Sequence, residues 1–246
     1  MQGLDPIVII PARLASTRLP DKPLADIHGK PMIVHVWERA CEAAIGPVVV
    51  AAGDAVIVDA IEAAGGHAVL TDPEHPSGSD RAFEALQIVD PAGRHQAIVN
   101  LQGDLPAIDP GYLARVAEPL AQDGVDIATL GFEIDDPAER TDPSVPKAVV
   151  SLEPGARAGR AIWFSRLATP WGEGPMIHHI GIYAYRRAAL ERFVGLPPAP
   201  LEMREKLEQL RALEAGMRIE AVLVDSVPLG VDTPADLDRI RAIMAP

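Results

Sequence analysis

Of the 246 residues only Cys41 is a cysteine, so no disulfide can close within the chain and no cysteine cluster can bind zinc. Cys41 falls in a helical pattern, where a small buried hydrophobe is the expected role rather than a nucleophile. No apolar stretch approaches the length needed to span a bilayer. The N-terminus carries an acid at Asp5, no basic leading segment and a short apolar run, so it does not read as a signal peptide. The expectation is a soluble, cytoplasmic protein. Positive charge is also scarce: 22 Lys and Arg stand against 35 Asp and Glu, a formal net charge of −13. That balance argues against general nucleic-acid binding and against anionic membrane surfaces. It does not exclude a nucleotide, because salt screens surface fields beyond about 8 Å. A unit ion pair about 4 Å apart in a partly buried site is worth about 4 kcal/mol at an effective dielectric of about 20. A few cations in a cleft therefore outweigh a distant acidic surface. Two familiar phosphate motifs are missing as well. No Gly-x-Gly-x-x-Gly follows the first strand pattern, which disfavours a dinucleotide oxidoreductase. Gly29-Lys30 runs into Pro31 without the upstream glycine of a P-loop, which disfavours a Walker ATPase.

What is present is a composition 48% hydrophobic and 23% charged, that of a globular chain long enough for a substantial core. The most informative stretch is residues 7–23. Four β-branched residues, Ile7 to Ile10, read as a short, fully buried strand that breaks at Pro11. The loop beyond carries Arg13, Arg18 and Lys22, with Ser16 and Thr17 between them. The next helical pattern starts only at about Pro31, so this loop is too long for a mere connector. A buried strand opening into a basic, hydroxyl-bearing loop is a way to hold a polyanion at the edge of a sheet; the plain alternative is a solvated loop with scattered cations.

Helices are expected over Pro31–Ala44, Asp54–Ala64 and Ser79–Val89, alternating with short apolar strands at Val48–Ala51, Ala68–Leu70 and Ala97–Leu101. Gly46-Pro47 and Gly65-Gly66 provide the stops. This alternation predicts right-handed βαβ units in a doubly wound, mainly parallel α/β sheet. Asp109-Pro110 opens a further helix. From about residue 126 the pattern turns strand-rich, at Asp126–Ile134, Lys147–Ser151, Ala161–Ser165 and Ile177–Tyr185, with Pro- and Gly-rich connections. Helices over Arg187–Val194 and Leu201–Ala215 follow, then a strand at Glu220–Asp225 and a closing helix over Thr233–Met244. The expected layout is one domain of 246 residues: an α/β part over 1–125, an inserted lobe over 126–218, and a return to the α/β part over 219–246.

Two acids complete a candidate site. In Val99-Asn100-Leu101-Gln102-Gly103-Asp104-Leu105-Pro106 a buried strand ends so that Asp104 lies just past its carboxyl end, where open α/β sheets bind ligands. Gly103 permits a tight turn or a close ligand approach. Gly230-Val231-Asp232-Thr233-Pro234 follows the last strand pattern. Asp104 could equally be a turn former, and Asp232 only the start of the final helix. Together with the basic loop, however, the two aspartates suit Mg²⁺ and a nucleoside triphosphate, because Mg²⁺ takes hard oxygen ligands from one or two carboxylates plus substrate phosphates. Attack on the α-phosphorus then needs positioning and charge neutralisation but no protein nucleophile. His178 and His179 are adjacent in a strand, point to opposite faces and cannot share one metal. His35 reads as an ordinary helix residue, and Arg166 taken alone as a surface ion pair.

The basic-loop stretch through Pro23-Leu24, Gly29-Lys30-Pro31-Met32-Ile33-Val34-His35-Val36, Asn-Leu-Gln-Gly-Asp and Gly-Val-Asp-Thr-Pro closely resemble the 3-deoxy-manno-octulosonate cytidylyltransferases, the CMP-Kdo synthetase family. Ser77 to Arg81, Trp163 to Arg166, His179 to Tyr183 and Leu207 to Arg211 match as well, in order and almost end to end. The resemblance implies a nucleotide-diphospho-sugar transferase-like fold and a homodimeric, cytoplasmic enzyme of lipopolysaccharide precursor synthesis, joining CTP to Kdo with release of pyrophosphate. Arg13, Arg18 and Lys22 would bind the triphosphate, with backbone contacts from Ala12, and Ser79 and Arg81 would lie near the cytidine. Asp104 and Asp232 would hold Mg²⁺. Gln102, Arg166, His179, Glu208 and Gln209 would line the sugar-acid pocket, an arginine fork suiting a carboxylate. The lobe would supply that pocket and the dimer contact. Leu105 stands where the family has Glu, Ala52-Gly53 where Thr-Asp is common, and His178 where Arg is frequent.

Sialic-acid cytidylyltransferases would prefer an Arg-x-Gly-Ser-Lys loop, and sugar-1-phosphate nucleotidyltransferases a Gly-Gly start; Arg-Leu-Ala-Ser-Thr-Arg after Pro11-Ala12 matches neither. A non-catalytic nucleotide-binding module is the reading from another class. Retention of Asp104, Asp232 and all three basic residues argues against it.

Overall fold

The computed structural model describes residues 4–16 and 18–245. The chain divides into two units, one formed by Asp5–Ala114 together with Pro228 onward, the other by Arg115–Val227, which interrupts the first in sequence.

The first unit opens with β1 (Pro6–Ala12), in which Ile7 to Ile10 are at most 2% exposed. The strand runs through Pro11 rather than stopping there. Val8 donates its N–H toward the neighbouring strand on the side of Pro47, so N–H groups at odd positions face the opposite neighbour. Pairing on that opposite side ends at Ile9, and the missing donor of Pro11 removes no ladder bond. The basic loop follows, with a 3₁₀ turn at Lys22–Leu24 and a two-residue hairpin of β2 (Asp26–Ile27) and β3 (Lys30–Pro31). Helix α1 (Met32–Glu42) takes Pro31 at its N-cap and buries Met32, Ile33, Val34, Val36 and Ala40. Cys41 comes out exposed instead of buried. It follows Ala40 by one residue, a turn of about 100° that carries it off the apolar stripe.

Then come β4 (Val48–Ala52), α2 (Ala55–Ala63), β5 (Ala68–Leu70), α3 (Gly78–Val89), β6 (Ala97–Asn100) and α4 (Gly111–Ala117). The strands form a parallel layer in the order β5-β4-β1-β6. All four residues of β6 are buried, as expected of a parallel strand covered on both faces. Gly46 precedes β4 because a Cβ there would lie 1.9 Å from the Pro6 carbonyl oxygen.

The second unit contains β7 (Ile127–Glu133), α5 (Pro137–Thr141), β8 (Lys147–Ser151), β9 (Ala158–Ser165), β10 (Ile177–Arg186), α6 (Arg187–Val194), α7 (Pro200–Glu205), α8 (Gln209–Glu214) and β11 (Ile219–Leu223). Its strands lie in the order β10-β7-β11-β9-β8, all antiparallel except β7 with β11. Two expectations change here. The single helix over 201–215 is broken at Lys206, whose left-handed conformation (φ 57°) ends α7 while its N–H bonds the Glu202 carbonyl. The strand expected to return to the first layer, β11, instead pairs with β7 and β9; only the segment after Pro228 belongs to the first unit. Side-chain alternation reports the strand but not its partner.

The chain closes with α9 (Pro234–Ile243), capped by Thr233 and Asp236, each accepting from the other's backbone N–H. Ile27, Met32, Val231, Leu237 and Ile240 form one buried cluster. At about 1.5–3 kcal/mol for each such side chain, it fixes the C-terminal segment against the end of the basic loop.

Candidate active site

A cleft of about 470 Å³ opens beyond the C-terminal ends of β1 and β6, within the first unit. Pro11, Ala12, Arg13, Ser16, Arg18 and Lys22 form one wall, His75 to Gly78 with Arg81 another, and Gln102, Gly103, Asp104 and Asp232 the third. Thr17 lies outside the described residues. The lining places four cationic side chains, Arg13, Arg18, Lys22 and Arg81, against two carboxylates. An acidic chain has therefore concentrated positive charge at one concavity.

Local structure explains how the segments meet. Gly103 lets its turn pass close to β1, since a Cβ there would sit 3.0 Å from the Pro11 carbonyl oxygen. The Val231 N–H donates to the Asp104 carbonyl at 3.0 Å, tying the C-terminal segment to that turn. Because Thr233 and Asp236 cap α9, the Asp232 carboxylate faces the basic loop instead. The Lys22 ammonium donates to Asp104 Oδ2 at 2.8 Å and to Asp232 Oδ1 at 3.0 Å, and Arg18 reaches Asp232 Oδ2 at 3.1 Å. Burial alone would lower the lysine's pKa; Asp104 and then Asp232 outweigh it, and the ammonium is held above its ordinary value.

The donor set fits a hard divalent cation. A positive charge already sits between two carboxylates, and both donors are oxygens. Among the described residues no group of three or more His, Cys, Asp or Glu side chains is arranged to hold a metal alone. Two carboxylates with the remaining positions left to water and phosphate is the usual Mg²⁺ arrangement.

Arg81 is 2% exposed and donates to Thr71 Oγ1 at 2.6 Å and to the Pro73 carbonyl at 3.2 Å. Burial, followed by the charge of Arg13, pushes its pKa down. A Cβ at position 53 would lie 2.8 Å from Arg81 Nη1 and 3.2 Å from Arg13 Cβ, so this departure from the family pattern sits close against both arginines. Ser79 is buried in the first turn of α3 and is not on the cleft wall, whereas Ser77 and Gly78 are. The Ser77 hydroxyl accepts from the N–H groups of Ser79 and Asp80. Sequence reasoning missed His75 and Glu84: Glu84 Oε2 contacts His75 Nε2 at 2.5 Å and accepts the Asp72 N–H at 2.9 Å, holding the 72–77 wall in place. Nothing in their spacing announced this.

The sugar-pocket residues implied by the resemblance divide between the units. Gln102 lines the cleft above; the others belong to the second unit. There His179, 6% exposed, contacts Thr129 Oγ1 through Nε2 at 3.0 Å and Gln209 Nε2 through Nδ1 at 3.3 Å. Burial, with a smaller push from His178, lowers its pKa to about 3, so the ring is neutral. Glu208 Oε1 lies 4.0 Å from Arg211 Nη2. Arg166 is engaged otherwise. Its guanidinium donates to the carbonyls of Glu205, Pro143 and Lys206, closing the C-terminal end of α7, so it makes neither the surface ion pair expected of it alone nor an open fork. His178 faces Glu139, with Nδ1 3.4 Å from Oε2, and His35 bonds the Ile27 carbonyl at 2.9 Å.

The profile of the Cytidylyltransferase family matches residues 7–219. The chain is 68% identical to a 3-deoxy-manno-octulosonate cytidylyltransferase of Rhodospirillum centenum, over 98% of this chain and 94% of that protein. It is 63% identical to the protein of the same name from Paramagnetospirillum magneticum, over 99% of each. A solved structure of CMP:2-keto-3-deoxy-manno-octonic acid synthetase complexed with CTP superposes with a TM-score of 0.90 at 40% identity, covering 98% of both chains.

Proposed function

The chain belongs to the 3-deoxy-manno-octulosonate cytidylyltransferases, and from that premise we propose the roles of its residues. The enzyme transfers CMP from CTP to Kdo. The anomeric hydroxyl oxygen of Kdo bonds to the α-phosphorus and gives up its proton, and the bond to the β-phosphate breaks to release pyrophosphate. The observation that carries the assignment of the site is the meeting of Arg13, Arg18 and Lys22 with Asp104 and Asp232 at one cleft.

Arg13, Arg18 and Lys22 bind the triphosphate, neutralising the negative charge that an incoming oxygen must approach. Lys22 and Arg18 leave the carboxylates for phosphate oxygens as the nucleotide enters. Ala12 offers backbone contacts at the end of β1, and Ser79 and Arg81 belong to the cytidine side, Ser79 through the helix turn it helps build. Asp104 and Asp232 hold Mg²⁺, which when bound supplies charge neutralisation at the phosphates and acidifies the sugar hydroxyl. Gln102, Arg166, His179, Glu208 and Gln209 serve the sugar acid, Arg166 by fixing α7 beside the Leu207 to Arg211 motif.

The Arg115–Val227 unit, inserted in the sequence of the α/β part, makes the contact of a homodimer. The exposed apolar side chains Ile162, Leu167, Trp171 and Met203 support that contact. Dependence on CTP supports a place in the cytoplasm, in lipopolysaccharide precursor synthesis. No helix among the described residues is long and apolar enough to cross a membrane. The test is pyrophosphate release with CTP, Mg²⁺ and Kdo supplied together, and much less with other triphosphates. CTP binding without turnover would leave a non-catalytic nucleotide module.

A further inference from the structure

Thr129 in β7 is completely buried, and its hydroxyl sits at an irregularity of β10, where the register with β7 shifts between Ile180 and Tyr183. Three groups meet its Oγ1: the Ile180 carbonyl at 3.1 Å, the Ile182 carbonyl at 2.9 Å and His179 Nε2 at 3.0 Å. Two of these are carbonyls, which only accept. The hydroxyl has one proton, and with it on either carbonyl the oxygen offers the ring a lone pair; Gln209 Nε2, which only donates, stands at the other ring nitrogen and sets the same direction. His179 therefore carries its proton on Nε2, and Nδ1 is bare. That bare nitrogen accepts from Gln209 Nε2 at 3.3 Å, which leaves the carbonyl oxygen Oε1 at the other corner of the Gln209 amide. The ring itself is wedged, with its centroid 4.8 Å from that of Phe164 and 5.6 Å from that of Tyr183.

We propose that Thr129 is a positioning residue for recognition of the sugar acid: its hydroxyl locks the His179 tautomer, and the locked ring turns the Gln209 amide so that Oε1, an acceptor, is presented to a hydroxyl of the substrate. This rests on the reading that His179 and Gln209 serve the sugar acid. The arrangement selects a donor. A sugar acid whose matching hydroxyl is replaced by hydrogen or fluorine loses the contact, because an amide oxygen cannot donate to it. It also separates the histidine from the substrate carboxylate, since a neutral ring bonded at both nitrogens offers no charge.

Long-range proton–nitrogen NMR of histidine-labelled protein reads the tautomer directly, with the His179 signals assigned by their loss in His179→Gln. The wild type and Thr129→Ser should show the Nε2–H form, and the near-isosteric Thr129→Val should lose it. In kinetics Thr129→Val should raise the KM for Kdo by about tenfold, the effect of one misplaced hydrogen bond, leave the KM for CTP unchanged, and be rescued by Thr129→Ser. An Nδ1–H tautomer in the wild type overturns the proposal without any variant, should Thr129→Val fail to fold. A raised KM for Kdo in Gln209→Ala with a normal one in folded Thr129→Val overturns this proposal alone. A normal KM for Kdo in both overturns the sugar-site reading and this proposal with it.

Discussion

Replacing Lys22 with methionine tests the reading of the cleft most directly. The lysine ammonium lies 2.8 Å from Asp104 and 3.0 Å from Asp232, and it is 18% exposed against 29% and 47% for the two carboxylates. A divalent cation seeking these oxygens in the nucleotide-free protein must displace it. A unit pair at about 4 Å is worth about 4 kcal/mol at an effective dielectric of about 20. Asp232 is nearly half exposed and shared with Arg18, so its part falls to the range of a surface pair, at most about 1 kcal/mol. The more sheltered Asp104 pair supplies the rest. Part of that is offset because the departing ammonium finds water, leaving a competition of about 1.4–2.8 kcal/mol, or about ten- to a hundredfold in affinity. Methionine keeps most of the length and removes the charge. Mn²⁺ added without nucleotide, with free ion followed by electron paramagnetic resonance, should bind Lys22→Met about ten- to a hundredfold more tightly than the wild type. With CTP present the wild type should bind the ion well, because phosphates have drawn the lysine away. If Lys22→Met binds Mn²⁺ no more tightly than the wild type in the absence of nucleotide, the carboxylates are not the cation site that the lysine occupies.

Asp104→Asn should reduce pyrophosphate release by about a thousandfold or more while leaving the circular dichroism spectrum and melting temperature near those of the wild type; near-normal turnover would remove its metal role. His179 should make stability pH-dependent. Its folded pKa is about 3 against an ordinary 6.5, so between those values the unfolded chain binds a proton that the folded one refuses. Its contribution is complete above about pH 6.5 and is lost as pH falls, with a slope of about 1.4 kcal/mol per pH unit. Urea unfolding at pH 7, 6 and 5 should show His179→Gln losing about one proton's worth of that slope, and equal slopes would refute the buried neutral ring. Gly46→Ala should cost more than about 2 kcal/mol in the same measurement, because the added methyl meets the Pro6 backbone oxygen and not a movable side chain; a change within about 0.5 kcal/mol would contradict the packing of β1 against the turn before β4.

Much of the local structure can be read from residue order. Ala68–Leu70, Lys147–Ser151 and Arg187–Val194 occupy the spans that apolar runs and their breakers predict, because burial on one or two faces imposes a period of about 2 or 3.6 that survives in a single segment. Some of the residues that line the cleft stood out for a related reason. Arg13 and Asp104 follow the ends of β1 and β6, and strand ends are visible as composition changes, while Lys22 and Asp232 stand in loops further from any strand. Other features depended on partners far away in sequence. Lys22 meets acids 82 and 210 residues away, brought together by the hydrogen bond from Val231 to the Asp104 carbonyl, the cluster around Ile27 and the bonds from Arg241 to the Asp26 carbonyl. Thr129 looks like one more β-branched strand residue until the register of β10 sets two carbonyls and a ring nitrogen around its hydroxyl. Lys206 breaks a helix whose apolar period continues through it, and β11 takes neighbours that its alternation does not name. Side-chain pattern is a property of one segment facing a generic interior, whereas pairing, register and hydrogen-bond direction are properties of two segments at once, and those the folded chain alone decided.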